Sequence, residues 1–174
     1  MMGKVLVSII VGSALLAGGA IYYLQVYAYF FDLPADTVMR MTPLGQDRAE
    51  PILTEDFRGI DANSSPLRFR ACFRTPQSLA MMTETYTPYE NARPLIGPGW
   101  FDCFDAARIG ADLESGKALA FLGEANVTYG IDQVIAVYDD GRAYAWHQLN
   151  HCGEVVYDGQ PAPEGCPPPP ERKK

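Results

Sequence analysis

The chain has 174 residues, a formal net charge of −7 at pH 7 and a hydrophobic fraction of 48%. Residues 32–174 contain all 21 acidic residues and 13 of the 14 basic ones, so this part carries a formal net charge of −8. A domain this acidic repels phosphate backbones, which argues against nucleic acid binding and against docking onto anionic lipid.

The N-terminus carries a long apolar run. Residues 5–31 contain no charged side chain, and Val5–Leu24 is almost purely apolar. Twenty helical residues at about 1.5 Å each extend about 30 Å, the thickness of a bilayer's hydrocarbon core. Aromatic rings, which favour the headgroup level, cluster at one end of the run: Tyr22, Tyr23, Tyr27, Tyr29, Phe30 and Phe31. The sequence predicts a transmembrane anchor over residues 1–31 that contacts the bilayer through residues 5–31.

The alternative to an anchor is a cleaved secretory signal. Lys4 would then be the charged n-region and Val5–Leu16 the apolar h-region, with Gly18-x-Ala20 as the cleavage pattern. We favour the uncleaved anchor, because the apolar run exceeds the 7–15 residues of an h-region. Cleavage would also leave a bare apolar end on a soluble domain.

The charges that flank the anchor bear on its orientation. Lys4 lies directly at one end, whereas Asp32 and Asp36 open the other flank, and Arg40 and Arg48 nearly balance the positive count. We favour an N-terminus in the cytoplasm and a domain outside it.

All four cysteines, Cys72, Cys103, Cys152 and Cys166, belong to the domain. No CxxC motif occurs, so neither a zinc knuckle nor a thioredoxin-type redox pair is indicated. An even count on an exported domain is typical of two disulfides, for which three pairings exist. We favour Cys72–Cys103 and Cys152–Cys166, worth roughly 3–4 kcal/mol each by chain entropy. Four free thiols in a cytosolic domain are the alternative.

The domain alternates between strand and helix patterns. Strands are predicted at Thr37–Met41, at Asp56–Ala62 with a break at Gly59, and at Leu67–Arg74. Helices are predicted at Pro76–Thr83 after a Thr75 cap, and at Cys103–Ser115 between an Asp102 cap and Gly116. Glu84–Trp100 between them is expected to be an ordered loop. The second helix should turn Cys103 toward Cys72 on the sheet.

The second half of the domain is rich in β patterns. Strands are predicted at Ala118–Leu122, Ile131–Tyr138, Arg142–Leu149 and, as an edge strand, Glu154–Tyr157, with a hairpin turn at Asp139-Asp140-Gly141. The sequence thus predicts an α+β fold: one N-terminal transmembrane helix, then a small, mostly antiparallel sheet with one or two packed helices. Residues 32–160 would form the domain and residues 161–174 a Pro-rich flexible tail.

Two sets of side chains are candidates for contact with a partner. Arg68, Arg70 and Arg74 share one face of a strand and could clamp an anion, although a solvated sheet face is the favoured interpretation. Tyr86, Tyr89 and Trp100 are the aromatics of the loop, and such residues dominate binding hot spots.

His147 and His151 are a weak candidate pair for a metal. The two-residue period places His147 on an apolar face with Ala143 and Ala145, where one ring nitrogen should bond to the backbone. His151 should be exposed past a turn at Asn150. We therefore expect no metal, no cofactor and no catalytic residue, and no Gly-x-Ser-x-Gly motif occurs.

Three stretches resemble a known family: Trp100–Ala106, Ala125–Asp132, and Asp140–Asn150 with Cys152–Glu154. They are similar to uncharacterised single-pass membrane proteins of alphaproteobacteria. The resemblance implies a bacterial inner-membrane protein with a periplasmic domain, and it brings no known activity.

The function that these features favour is a non-enzymatic interaction module, anchored in the membrane, that binds another membrane or envelope protein. The alternative is a periplasmic domain that binds a small ligand or a metal through the histidines and the arginines.

Overall fold

The architecture is an α+β fold with an apolar N-terminal helix, as the sequence predicts. The structure is a computed structural model, and it describes residues 2–170. The helices are α1 (Met2–Tyr23), a π-helical turn (Leu24–Ala28), a 3₁₀ turn (Pro66–Arg68), α2 (Leu79–Thr85), α3 (Ala106–Glu114) and α4 (His151–Tyr157). The strands are β1 (Phe30–Asp32), β2 (Arg40–Met41), β3 (Glu50–Pro51), β4 (Glu55–Ala62), β5 (Arg70–Arg74), β6 (Ala118–Leu122), β7 (Ile131–Tyr138) and β8 (Arg142–Leu149).

Six strands form one antiparallel sheet in the order β1-β4-β5-β8-β7-β6, and β2 pairs with β3 separately. One row of paired residues crosses the whole sheet: Asp32, Ile60, Arg70, Trp146, Val134 and Leu122. The row begins on the strand that follows the anchor. It therefore relates every strand to the end of α1.

The strands β6, β7 and β8 have the bounds that the sequence predicts, and Gly141 takes the positive φ of 81° that the hairpin turn needs. The prediction that Gly59 interrupts β4 is wrong. Gly59 lies within the strand, where a Cβ would come 2.6 Å from the ring of Phe57. The glycine serves a close approach in the sheet rather than a break.

The helix starts differ from the predicted ones by a few residues. Ser78 caps α2 instead of Thr75, and Asp105 caps α3 instead of Asp102. Asp102 is exposed and pairs with Arg58 at 3.0 Å. The predicted strand start at Leu67 is also wrong, because the 3₁₀ turn occupies Pro66–Arg68.

The predicted edge strand at Glu154–Tyr157 is a helix. Asn150 ends β8 and accepts a hydrogen bond from the Gly153 N–H at 3.0 Å, which starts α4. This cap sets the backbone into a helical turn before the β-branched pair Val155-Val156 can extend it.

Each face of the sheet buries its own cluster. On one face Phe73, Phe121, Ile135 and Ala145 pack under β2, β3 and α2, with Met39, Met41 and Met82. On the other face Trp146, Val134 and Ile60 pack under α3 and the loop before it, through Phe101, Phe104 and Ile109. Both faces are covered, which explains the nearly continuous burial of β7.

Two disulfides close the domain. Cys72 on β5 is bonded to Cys103, and Cys152 on α4 is bonded to Cys166, which is the pairing favoured from the sequence. The second bond ties the Pro-rich segment to α4, and Tyr129 donates a hydrogen bond to the carbonyl of Pro167 at 2.9 Å. The predicted tail thus follows α4 closely as far as Pro167, and its last residues, 171–174, lie outside the described residues.

Gly153 packs against Gly130 so closely that a Cβ on Gly153 would overlap the Gly130 carbonyl oxygen. We therefore expect Gly153→Ala to lower the free energy of unfolding by about 2 kcal/mol or more, since overpacking moves backbone. Urea unfolding of the protein in mild detergent measures this. Gly99→Ala is the matched control, because a Cβ there meets nothing within 4 Å; equal effects of the two substitutions would contradict the packing.

Candidate functional site

The anchor helix passes into the sheet with almost no linker. The π-helical turn ends at Ala28, and β1 begins at Phe30 after a single intervening residue. The last carbonyls of any helix lack partners within it, so this end of the helix exposes acceptors. The fold has to supply donors for them.

Two distant side chains supply those donors. The Trp100 indole N–H donates to the Val26 carbonyl at 2.7 Å, and the Arg68 guanidinium donates to the Gln25 carbonyl at 3.1 Å. Arg68 also lies over the Phe30 ring, 5.3 Å from its centroid. We call Gln25, Val26, Phe30, Arg68 and Trp100 the junction cluster.

Aromatic packing reinforces the junction cluster. The ring of Trp100 stacks on Tyr27 with centroids 6.4 Å apart and meets Phe30 edge-on at 5.8 Å. A cation such as Arg68 beside a helix C-terminus also opposes the negative end of the helix dipole. The cluster therefore fixes the direction of the anchor relative to the sheet.

Arg70 holds the loop that carries Trp100. It is only 4% exposed, and it donates to the carbonyls of Leu95 at 2.7 Å and Ile96 at 3.2 Å. Two more bonds reach the carbonyls of Leu67 and Phe69. Burial lowers the pKa of Arg70 to about 10, partly offset by the charge of Asp61. The side chain remains a cation at neutral pH, and its hydrogen bonds hold Leu95 and Ile96 beside the anchor.

The three arginines do not form a solvated stripe. Arg70 is buried, and Arg68 belongs to the 3₁₀ turn at the junction. Arg74 lies at the opposite end of β5, where it donates to the Asp140 carbonyl of the hairpin at 2.8 Å. The prediction of one exposed face is wrong, because the loop before α3 covers its middle.

The loop aromatics also separate. Tyr86 is 6% exposed and belongs to the core with Met82, so the prediction that it is an exposed contact is wrong. Trp100 keeps 37% of its surface exposed while it joins the junction cluster. Tyr89 is half-buried, and its hydroxyl donates to an Asp132 carboxylate oxygen at 3.2 Å. Burial, the charge of Asp132 and this hydrogen bond raise the pKa of Tyr89.

Tyr89 lines a groove of about 610 Å³. Its position is fixed by backbone pairing with β6, where the Tyr89 N–H donates to the Ala120 carbonyl and the Leu122 N–H donates to Thr87, both at 2.9 Å. Small side chains line the groove opposite, among them Ala107, Gly110 and Ala111 of α3. A groove with such small walls admits close approach of another chain's backbone.

The carboxylate of Asp132 organises a polar network that the sequence analysis did not single out. Oδ1 accepts hydrogen bonds from the Asn150 amide at 2.7 Å and from the Asn126 N–H at 2.9 Å, while Oδ2 accepts from Tyr89. The sequence signal for this network was one acidic residue, Asp132, near the start of a mainly apolar strand. The network holds the 124–130 loop and the start of α4 in place.

The two histidines lie in different settings. Nδ1 of His147 is 2.8 Å from the Pro66 carbonyl, and its ring stacks on Phe69 at 4.5 Å, as expected for a packed histidine. His151 is exposed at the start of α4. Among residues 2–170, no three His, Cys, Asp or Glu side chains are grouped so that they could hold a metal ion.

The comparison with protein families finds one match. The model described as "Family of unknown function (DUF6446)" matches residues 39–167. The chain belongs to this family. The comparisons of the chain with curated proteins and with solved structures find no match. The matched residues include Arg68 and Trp100. The helix from Gly3 to Ala28 precedes the match. With a mean hydropathy of 2.2, it is long and apolar enough to cross a membrane.

His147 should make stability depend on pH. Burial lowers its pKa below the ordinary 6.5, so the unfolded chain binds a proton more readily than the native one. The free energy of unfolding should fall between pH 7 and pH 5, by up to about 1.4 kcal/mol for each pH unit by which the native pKa lies below 6.5. In His147→Gln this fall should shrink, as urea titrations at the two pH values would measure. His151→Gln, on the exposed histidine, should keep it; a fall of the same size in both variants would contradict the assignment.

Proposed function

We propose that the protein is a membrane-anchored interaction module, not an enzyme, whose domain lies on the periplasmic side of a bacterial inner membrane in a single-pass arrangement. The observation that carries this is the junction cluster, in which Trp100 and Arg68 bond to the last carbonyls of the apolar helix. A domain that is hydrogen-bonded to the end of a membrane helix would keep one orientation relative to the bilayer.

Redox chemistry and charge support the side of the membrane. Both cysteine pairs are at bonding distance, and disulfides persist in exported domains and are rare in the cytosol. Lys4 precedes the apolar run and Asp32 follows it, which favours a cytoplasmic N-terminus.

The partner in this proposal is another membrane or envelope protein, and the groove beside Tyr89 is the surface that receives it. Tyr89 presents a ring that the bond to Asp132 holds in place, so little rotamer entropy is lost on binding. The small side chains of α3 leave room for an extended segment of the partner. Residues 87–89 occupy the outer edge of β6, so the partner segment would lie against α3 and the Tyr89 ring and would not add a strand to the sheet.

The ligand-binding alternative has less support. The Nδ1 of His147 is taken by Pro66, and the donors of Arg70 are taken by four carbonyls. The contacts of Nδ1 of His147 and of Arg70 are thus made within the domain.

The orientation has a direct test. An alkaline phosphatase fused after Lys174 should be active, because that enzyme needs an oxidising compartment to form its disulfides. A reporter that works only in the cytoplasm, fused at the same position, should be inactive. Activity of the cytoplasmic reporter alone would reverse the orientation and remove the support drawn from the cysteines.

The groove has a separate test by photo-crosslinking in native membranes. A photoreactive residue at Ala107, on the exposed side of α3, should give a discrete adduct with another protein. The adduct should weaken at least severalfold in Tyr89→Ala. The same probe at Leu53, which is exposed 68% on the loop before β4, is the matched control. Adducts of equal yield at both positions, or an adduct at Ala107 that ignores Tyr89→Ala, would refute the assignment of the groove.

A further inference from the structure

One exposed apolar side chain lies beside the anchor and has no role in the domain. Ile96 is 88% exposed at the tip of the segment that Arg70 clips. The segment, Leu95–Trp100, borders a cleft of about 460 Å³ whose other wall is the end of the anchor, with Tyr22, Gln25 and Val26. Because Ile96 and the end of the anchor line the same cleft, this exposed side chain lies on the side of the domain that faces the anchor.

The depth of the cleft follows from the anchor. The apolar run Val5–Leu24 extends about 30 Å as a helix, so Gln25 and Val26 fall at the edge of the hydrocarbon core. Arg68 and Trp100 hydrogen-bond to the carbonyls of these two residues. Both side chains are therefore at the depth of the headgroups, where Trp is enriched and Arg can reach lipid phosphate.

Arg68 has capacity for such a phosphate. A guanidinium has five N–H donors, and one of them serves the Gln25 carbonyl. Within the described residues, no carboxylate lies within 4.0 Å of Arg68, although Arg58, Arg108 and Arg142 each have one. Arg68 is thus a cation at the headgroup level without an acidic partner in the domain.

We infer that the Leu95–Trp100 loop and Arg68 form a second membrane contact, in which Ile96 enters the headgroup layer and Arg68 binds a phospholipid phosphate. The inference rests on the proposed anchoring and adds a lipid site to it. Because the domain is acidic overall, the fitting lipid is zwitterionic and not anionic. The anchor and the loop would then hold the domain at two points and stop it from rocking on the helix.

The experiment uses the full-length protein in phosphatidylcholine vesicles with an environment-sensitive fluorophore on one introduced cysteine. The native cysteines are all disulfide-bonded, so the new thiol is the one that reacts. Probe positions are Ile96→Cys in the loop, Ser13→Cys in the anchor and Leu53→Cys as the matched exposed control. Leu53 lies just before Glu55, the first residue of β4. Ala62, at the other end of that strand, pairs with β1 beside the anchor, seven residues or about 23 Å away from Glu55.

Quenching by phosphatidylcholine with a nitroxide on its headgroup should be at least twofold stronger at position 96 than at position 53. The Ser13 probe should be quenched by a nitroxide placed deep in the acyl chain. If Ser13 is quenched and position 96 behaves like position 53, the loop contact is overturned while the anchoring stands. If Ser13 is not quenched, the anchoring fails and this inference fails with it.

A charge variant tests the phosphate. Arg68→Gln in the Ile96→Cys chain should reduce the headgroup quenching at position 96 by about half or more. Arg74→Gln is the matched control, since Arg74 is exposed at the far end of β5. Unchanged quenching in Arg68→Gln, or an equal loss in both variants, overturns the assignment of the phosphate to Arg68.

Discussion

The carbonyl groups at the end of the anchor helix impose the constraint on which this structure depends. The last carbonyl groups of a helix have no partner within it, so a domain packed against a helix end has to supply donors for them. Here Trp100 and Arg68 pair with those acceptors, 74 and 43 residues away in sequence. The domain must therefore fold correctly around β5 and the loop before α3 before the anchor end is satisfied.

The features that hold this loop act together. Arg70 binds two of its carbonyls, and the Cys72–Cys103 disulfide joins the following segment to β5. A buried guanidinium is expensive to desolvate, and here carbonyl oxygens rather than a carboxylate compensate for it. Carbonyls leave the net positive charge of Arg70 in place. Arg70 and Arg68 line the same cleft beside the end of the anchor.

Local patterns were sufficient for part of the fold. The short apolar run before Gly123, the two β-rich runs and the Asp-Gly turn between them predicted β6, β7 and β8 to the residue, since neighbours in sequence decide those elements. The start of α3 was predicted less accurately because two acids, Asp102 and Asp105, offer equally good caps. Asp105 caps the helix, and Asp102 pairs with Arg58 instead. The error at α4 has a local cause: the two adjacent valines favour a strand, but the Asn150 cap just before them starts a helix.

The candidate site was recognised in its residues but not in its arrangement. Arg68 and Trp100 were singled out by residue type, and Tyr86 was misplaced because a loop position does not show whether the core covers it. Only the fold brings Arg68 and Trp100 to the anchor, through pairings that no local pattern encodes.

A consequence for the proposed function follows from the single residue between the π-helical turn and β1. A flexible linker would let the groove beside Tyr89 sample many orientations, each at an entropic cost on binding. The junction cluster removes that freedom in advance, so the groove meets partners from one direction relative to the bilayer, and membrane neighbours in that direction are favoured over soluble proteins.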